Sequence, residues 1–225
     1  LAGDVTETAI EGIPPTDPNG LYGGNVADDN SGEIRYISIR HGGSNIGEGN
    51  EINGLTLGGV GSGTIIENVE VVANQDDGIE FFGGTVNVKN AIVWNAGDDG
   101  IDTDQAWAGT LDNFAVICGT ETDHALEIDG PEGALNATHT LINGWVKGDD
   151  PTEDGRADMG DFRDDARGSF NNIYFFNFGS PAETGGFGVL SVNASQDNFD
   201  NGILTFDKLE VTLPANTELA DVLKH

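Results

Sequence analysis

The 225-residue chain carries 39 Asp and Glu against 9 Lys and Arg, a formal net charge of −30. A field of that sign excludes partners held through phosphates, nucleic acid and anionic membrane alike, and favours cations or a well-hydrated surface. With 34 glycines beside 37% hydrophobic residues, the composition excludes disorder and predicts many tight turns between short apolar strands.

No run approaches the length of a membrane-spanning helix. The single cysteine, Cys118, sits in the apolar run Phe114-Ala-Val-Ile-Cys and reads as a buried hydrophobe, which excludes a disulfide framework. The opening Leu1-Ala-Gly-Asp reads as a processed or trimmed start. Residues 1–32 hold Pro14, Pro15 and Pro18 with Gly20, Gly23 and Gly24, and predict an irregular lead-in or an incomplete first coil.

From Glu33 a rhythm begins. Tyr36-Ile-Ser-Ile, Asn68-Val-Glu-Val, Asn90-Ala-Ile-Val, Asn113-Phe-Ala-Val, Asn172-Ile-Tyr-Phe and Lys208-Leu-Glu-Val are versions of one short buried strand, with a weaker one at Thr138-His-Thr-Leu. Secondary strands recur within the units, as in Gly78-Ile-Glu-Phe-Phe, Gly100-Ile-Asp-Thr and Ala125-Leu-Glu-Ile. Steps of 22 and 23 residues separate the central Asn copies. Such units predict an all-β chain folded as a right-handed parallel β-helix, a solenoid of about seven coils over residues 33–213, with a repeated Asn forming a ladder at one corner. A leucine-rich repeat is excluded by the missing Leu frame, and a β-sandwich does not explain the 22-residue identity. Residues 214–225 read as a C-terminal tail or a short amphipathic cap.

The densest repeat lies in residues 68–104. There Asp76-Asp-Gly-Ile-Glu80 maps onto Asp98-Asp-Gly-Ile-Asp102, followed by Asp104. Equivalent positions of successive coils in a solenoid lie about 4.8 Å apart, so Asp76 and Asp77 stack on Asp98 and Asp99, and Glu80 on Asp102. Asp123, Glu127 and Asp129 continue the same side, and Glu48 and Glu51 flank it below. Carboxylates at that separation repel by about 1 kcal/mol even in water, and an all-oxygen column suits Ca²⁺ better than zinc. Three readings stand together: turn formers capping backbone amides, a Ca²⁺ site, and a catalytic carboxylate pair. For a lyase, Arg40, His41 and Lys89 are the candidate proton acceptors; His124 follows Asp123 and is placed to bond to it.

A lateral loop follows. Asp150, Thr152, Asp154, Gly155, Arg156, Asp158 and Asp161 fall on successive ligand positions of a calcium-loop frame, although Pro151, Thr152 and Asp161 depart from it. Among the aromatics, Phe81, Phe82, Trp94 and Trp107 read chiefly as core, with the outward member of each adjacent pair offered to a sugar ring.

The runs Gly54-Leu-Thr-Leu-Gly-Gly-Val-Gly-Ser-Gly-Thr, Asp76-Asp-Gly-Ile-Glu-Phe-Phe-Gly-Gly, Gly97-Asp-Asp-Gly-Ile-Asp and Ala125-Leu-Glu-Ile-Asp-Gly-Pro-Glu-Gly resemble secreted or surface-anchored β-helix proteins of Bacteroidota and related marine bacteria. That resemblance implies a right-handed β-helix outside the cytoplasm and no particular reaction. The expectation is an extracellular, non-catalytic structural or binding protein, stabilised by Ca²⁺ and associating through its solenoid ends with a longer parent chain or other copies. A carbohydrate-active enzyme working through the acidic column, on a polysaccharide, is the alternative.

Overall fold

The computed structural model describes residues 7–10, 13–44, 52–152, 155–181 and 188–224. A hairpin leads, with β1 (Glu7–Ala9) antiparallel to β2 (Leu21–Gly23). Long and short strands then alternate: β3 (Glu33–Arg40), β4 (Leu55–Gly58), β5 (Ile65–Val72), β6 (Ile79–Phe82), β7 (Asn87–Trp94), β8 (Ile101–Asp104), β9 (Thr110–Ile117), β10 (Leu126–Ile128), β11 (His139–Lys147), β12 (Gly160–Phe162), β13 (Gly168–Phe176), β14 (Leu190–Ser191), β15 (Leu204–Val211) and β16 (Leu223–Lys224). The odd-numbered strands from β3 form one seven-stranded sheet and the even-numbered ones from β4 another. Every pairing in both is parallel, each strand to the equivalent one of the next turn. The chain is a parallel β-helix.

Each long strand bends once, and the bend explains the repeated Asn. Tyr36, Asn68, Asn90, Asn113, Asn143, Asn172 and Lys208 all adopt a left-handed backbone, with φ between 54° and 62°. Asn is among the few residues with a side chain that tolerate this region. The bend also resets the inward alternation by one residue. Ile66 faces the core, and after Asn68 the inward positions are Val69 and Val71. These stack in register on Val88, Ala91 and Val93, and those on Leu111, Phe114 and Val116. Where Phe114 is too large for its layer, the next coil answers with Gly144, whose Cβ would stand 2.3 Å from the ring.

The Asn amides bond from coil to coil: Asn90 donates to Asn68 at 2.8 Å, Asn113 to Asn90 at 2.6 Å, and Asn172 to Asn143 at 2.8 Å. The ladder is interrupted where Asn143 donates to Asp112 instead. Replacing Asn90 by Ala is expected to cost about 2–3 kcal/mol, from two lost hydrogen bonds and a strained left-handed Ala. Asn90→Gly keeps the backbone easy and is expected to cost about 1–2 kcal/mol. In urea denaturation, no loss in Asn90→Gly would show that the amides contribute nothing.

An aromatic file runs through the core. Phe81 stacks on Trp107 at 3.9 Å, Trp107 on His139 at 5.0 Å, and Phe170 meets His139 edge-on at 5.6 Å. Burial holds the His139 imidazole neutral, down at about 4, against a weak opposing pull from the Trp107 backbone. A histidine whose folded pKa is depressed contributes stability above its unfolded value, here 6.5, and loses it as the pH falls toward the folded one. The His139 contribution is therefore expected to fall by about 3 kcal/mol between pH 6.5 and 4. His139→Phe should remove that slope, and chemical denaturation across this range in both proteins measures the difference.

Two parts depart from the sequence reading. Residues 7–10 and 13–32 are no partial coil: the hairpin lies against the short sheet, with Tyr22 facing Phe82 at 6.0 Å and donating to Gln105 at 2.7 Å. At the other end, after a one-turn α1 (Gln196–Asp200) before β15, the residues read as a cap divide into two elements. Leu219–Val222 forms a single helical turn, α2, closed by a Glu218/Asp221 capping box, and Leu223–Lys224 pairs with β14 as a further strand of the short sheet. Periodicity did not reveal it because two residues are too few to alternate.

Candidate cation site

The short sheet carries the acidic seam on its outer face. In β6 and β8, Ile79, Phe81, Ile101 and Thr103 alternate with Glu80 and Asp102. The register places Glu80 on Asp102, Asp102 on Glu127 and Glu127 on Asp161. A second column precedes the strands. Backbone bonds from Gly54 to Asp77, Gly78 to Asp99, Gly100 to His124 and Ala125 to Asp158 put Asn53, Asp77, Asp99, His124 and Asp158 one above another. A third follows them, running from Phe82 through Asp104 and Asp129 to Arg163.

The glycine of each Asp-Asp-Gly turn is required by close approach. A Cβ on Gly78 would lie 2.3 Å from Val93 Cγ1 and 2.5 Å from the Gly100 carbonyl. The turn is therefore pressed onto its neighbour, and the preceding carboxylates are held over the same spot coil after coil.

Together these residues enclose a cleft of about 570 Å³, lined by Asp76, Asp77, Glu80, Asp98, Asp99, Asp102, Asp104, Glu127, Asp129 and Arg163. Its floor is dry: Asp77, Asp99, Asp102 and Glu127 are each less than 10% exposed, and Glu80 is 2% exposed. Carboxylate oxygens of Asp77, Glu80 and Asp102 lie within 4.8 Å of one another, as do those of Asp76, Asp77 and Asp98. Burial, reinforced by the Asp99 charge, pushes Asp77 well above the carboxylate range, and burial with the Glu80 charge does the same to Asp102. Asp99 is pushed up to about 7, chiefly by burial.

The polar partners are unequal along the seam. Asn53 donates to Glu80, and Asp77 accepts the Asp99 amide at 2.9 Å. Asp102 Oδ1 is buried and has no hydrogen-bond partner among the described residues. One coil further on, His124 Nδ1 lies 2.9 Å from Asp99 and 3.1 Å from Glu127. Burial pulls that imidazole down, but its bonds to the two carboxylates prevail and hold it up at about 11. Arg163 bonds to Glu127 and, at 2.8 Å, to Asp129.

All the seam residues expected from the sequence, Asp76, Asp77, Glu80, Asp98, Asp99, Asp102 and Asp104, meet in this one cleft. The described members of the lateral-loop set are spread over the loop and the next coil. Asp150 caps Thr152 at 2.9 Å, Asp158 accepts the Val189 amide at 2.9 Å, and Asp161 stands in the strand register above Glu127. Asp158 and Asp161 belong to the next coil, in register with His124 and Glu127. Asp154, Glu48 and Glu51 lie outside the described residues. His124 bonds to Asp99 rather than to its neighbour Asp123, whose oxygen is 3.9 Å away.

Arg163 was missed, since the long insertion hides its register. The only signal was its place directly after an apolar Phe162, as Asp129 follows Ile128. Arg40, His41 and Lys89 all lie on or at the end of long-sheet strands, Arg40 paired with Glu70, and none lines the cleft.

The chain matches the model of the pectate-lyase-like beta helix domain over residues 17–222, and it belongs to that family. Such a domain is compatible with extracellular or carbohydrate-related roles. No curated protein and no solved structure gives a match. Among the described residues no helix is long and apolar enough to cross a membrane.

Proposed function

We propose that this is an extracellular, non-catalytic structural or binding β-helix that takes up Ca²⁺ in the acidic cleft. One observation carries the reading: Asp102, whose buried Oδ1 has no hydrogen-bond partner among the described residues, brings a carboxylate oxygen within 4.8 Å of oxygens of Asp77 and Glu80. A buried acceptor left unmade costs about 1–3 kcal/mol. Oxygens on opposite sides of one Ca²⁺, each about 2.4 Å from it, stand about 4.8 Å apart. The remaining ligands of a six- to eight-coordinate ion would come from water or second carboxylate oxygens. The net charge of −30 concentrates cations around the chain. Calorimetric titration of chelator-treated protein with Ca²⁺ tests this; no binding heat up to millimolar Ca²⁺, with no displacement of terbium luminescence, would sink it.

Long edge strands at both ends of the stack, β3 and β15, support end-to-end association with further coils or a second copy. A carbohydrate-active enzyme remains the second reading, favoured by the family and by the raised pKa of Asp99. Against a lyase, Arg163, which lines the cleft, is held by two carboxylates and stays protonated. Screening acidic and neutral polysaccharides for unsaturated or reducing ends separates the readings, since turnover lost in Asp77→Asn or Asp99→Asn would establish catalysis.

A further inference from the structure

We propose that the cleft is divided, with one half neutralised by the chain's own cations and the other left for a single metal ion, and that the Arg163 guanidinium occupies what would otherwise be a second cation position. This rests on the Ca²⁺ reading above and specifies where the ion sits and how many are bound.

The division follows from the three columns. Walking along the coils, the first column changes from Asn53 to Asp77 and Asp99 and then to His124. The third changes from Phe82 to Asp104 and Asp129 and then to Arg163. Each acidic run thus meets a base on the same side, the first column returning to an acid, Asp158, one coil later. His124 reaches Asp99 and Glu127 together, and Arg163 reaches Glu127 and Asp129 together. Four hydrogen-bonded contacts to fixed positive groups satisfy that half of the seam. An incoming divalent ion would have to displace them or sit beside two like charges.

Neither base makes such a contact to Asp77, Glu80 or Asp102. In that trio Asn53 donates to Glu80 and the Asp99 amide to Asp77, and the buried Asp102 Oδ1 has no hydrogen-bond partner among the described residues. Since Glu80, Asp102 and Glu127 are successive members of one column, the ion and the guanidinium are neighbours along the same seam. The protein supplies the counter-charges of one half, His124 and Arg163, and recruits that of the other.

Terbium luminescence and equilibrium dialysis with Ca²⁺ test the division on the intact chain. The wild type is expected to bind one ion in the cleft. Asp102→Asn should weaken it at least about tenfold, through loss of a charged oxygen ligand. Asp129→Asn should still bind one ion, with affinity changed less than in Asp102→Asn. Arg163→Gln should bind two, and Arg163→Lys one.

Circular dichroism establishes that each variant is folded; if Arg163→Gln does not fold, the contrast between Asp102→Asn and Asp129→Asn decides. Loss of the ion in Asp129→Asn but not in Asp102→Asn would overturn the assignment, as would two ions in the wild type or one in folded Arg163→Gln. No ion in the wild type would overturn the Ca²⁺ reading itself, which keeps the two failures distinct.

Discussion

Adding Ca²⁺ to chelator-treated protein is expected to raise its thermal midpoint by about 5–10 °C. A ligand at a hundred times its dissociation constant stabilises the folded state by about 2.7 kcal/mol. A chain of this size moves by about 2–4 °C for each kcal/mol. The physical origin is the seam: Asp77, Glu80 and Asp102 are removed from water and face one another, so an ion bound there would relieve both desolvation and repulsion.

Asp102→Asn has a signature that a general destabilisation does not. It removes a buried acid, so the metal-free variant should be at least as stable as the metal-free wild type, while losing most of the Ca²⁺ response. The pH dependence gives the same sign. Asp99, raised from 3.8 to about 7, is a carboxyl whose folded pKa lies above its unfolded one. Metal-free stability from this group is therefore highest near pH 4 and falls as the pH rises toward 7. This slope, shared in sign with Asp77, Asp102 and Asp158, opposes that of His139, and His139→Phe removes the opposing contribution. Calorimetric scans with and without chelator measure both effects; an unchanged midpoint would remove the metal from the account.

Trp107→Ala is expected to destabilise by about 3–5 kcal/mol, a drop on the order of 10 °C. Trp107 is 1% exposed, stacks between Phe81 and His139, and donates its indole N–H to the Val86 carbonyl at 3.0 Å. Truncation opens a cavity in the middle of the aromatic file and leaves that carbonyl without its donor. Trp94→Ala is the control. Trp94 is 51% exposed at the end of β7, and its loss should stay within about 0.5 kcal/mol. Similar losses in the two variants would mean that the file is not the stabilising element. The Ca²⁺ stoichiometry should survive both changes, because neither residue lines the cleft.

These two residues also show how far the sequence could be read. Both belong to aromatic positions read chiefly as core, and alternation along β7 puts Trp94 outside. Trp107 lies in the turn after β8, where alternation says nothing; only the stacking of neighbouring coils buries it. Asn143 is a similar case. The strand of its coil was sought at Thr138, because Asn143-Gly-Trp-Val lacks the apolar run of its equivalents. Gly144 is there because Phe114 fills that space from the adjacent coil, a compensation between residues about thirty positions apart.

The repeat itself was open to inspection. Asn at the bend is a local backbone requirement, and alternating Val and Ile around it is a local burial pattern, so both are written in consecutive residues. The 22-residue identity between Asp76-Asp-Gly-Ile-Glu80 and Asp98-Asp-Gly-Ile-Asp102 carried the vertical register with it. From these followed the parallel β-helix and the gathering of seven carboxylates on one seam. What the sequence alone did not reach was the neutralisation of that seam. Arg163 arrives after a lateral insertion whose length masks its register, and His124 chooses Asp99 over the adjacent Asp123. Those choices depend on which coil lies above which, and on how deep each carboxylate is buried. Sequence determined where the negative charge collects, because a repeat places like residues over like; tertiary structure decided which of those charges the chain balances for itself, because pairing between distant coils is a matter of distance in space.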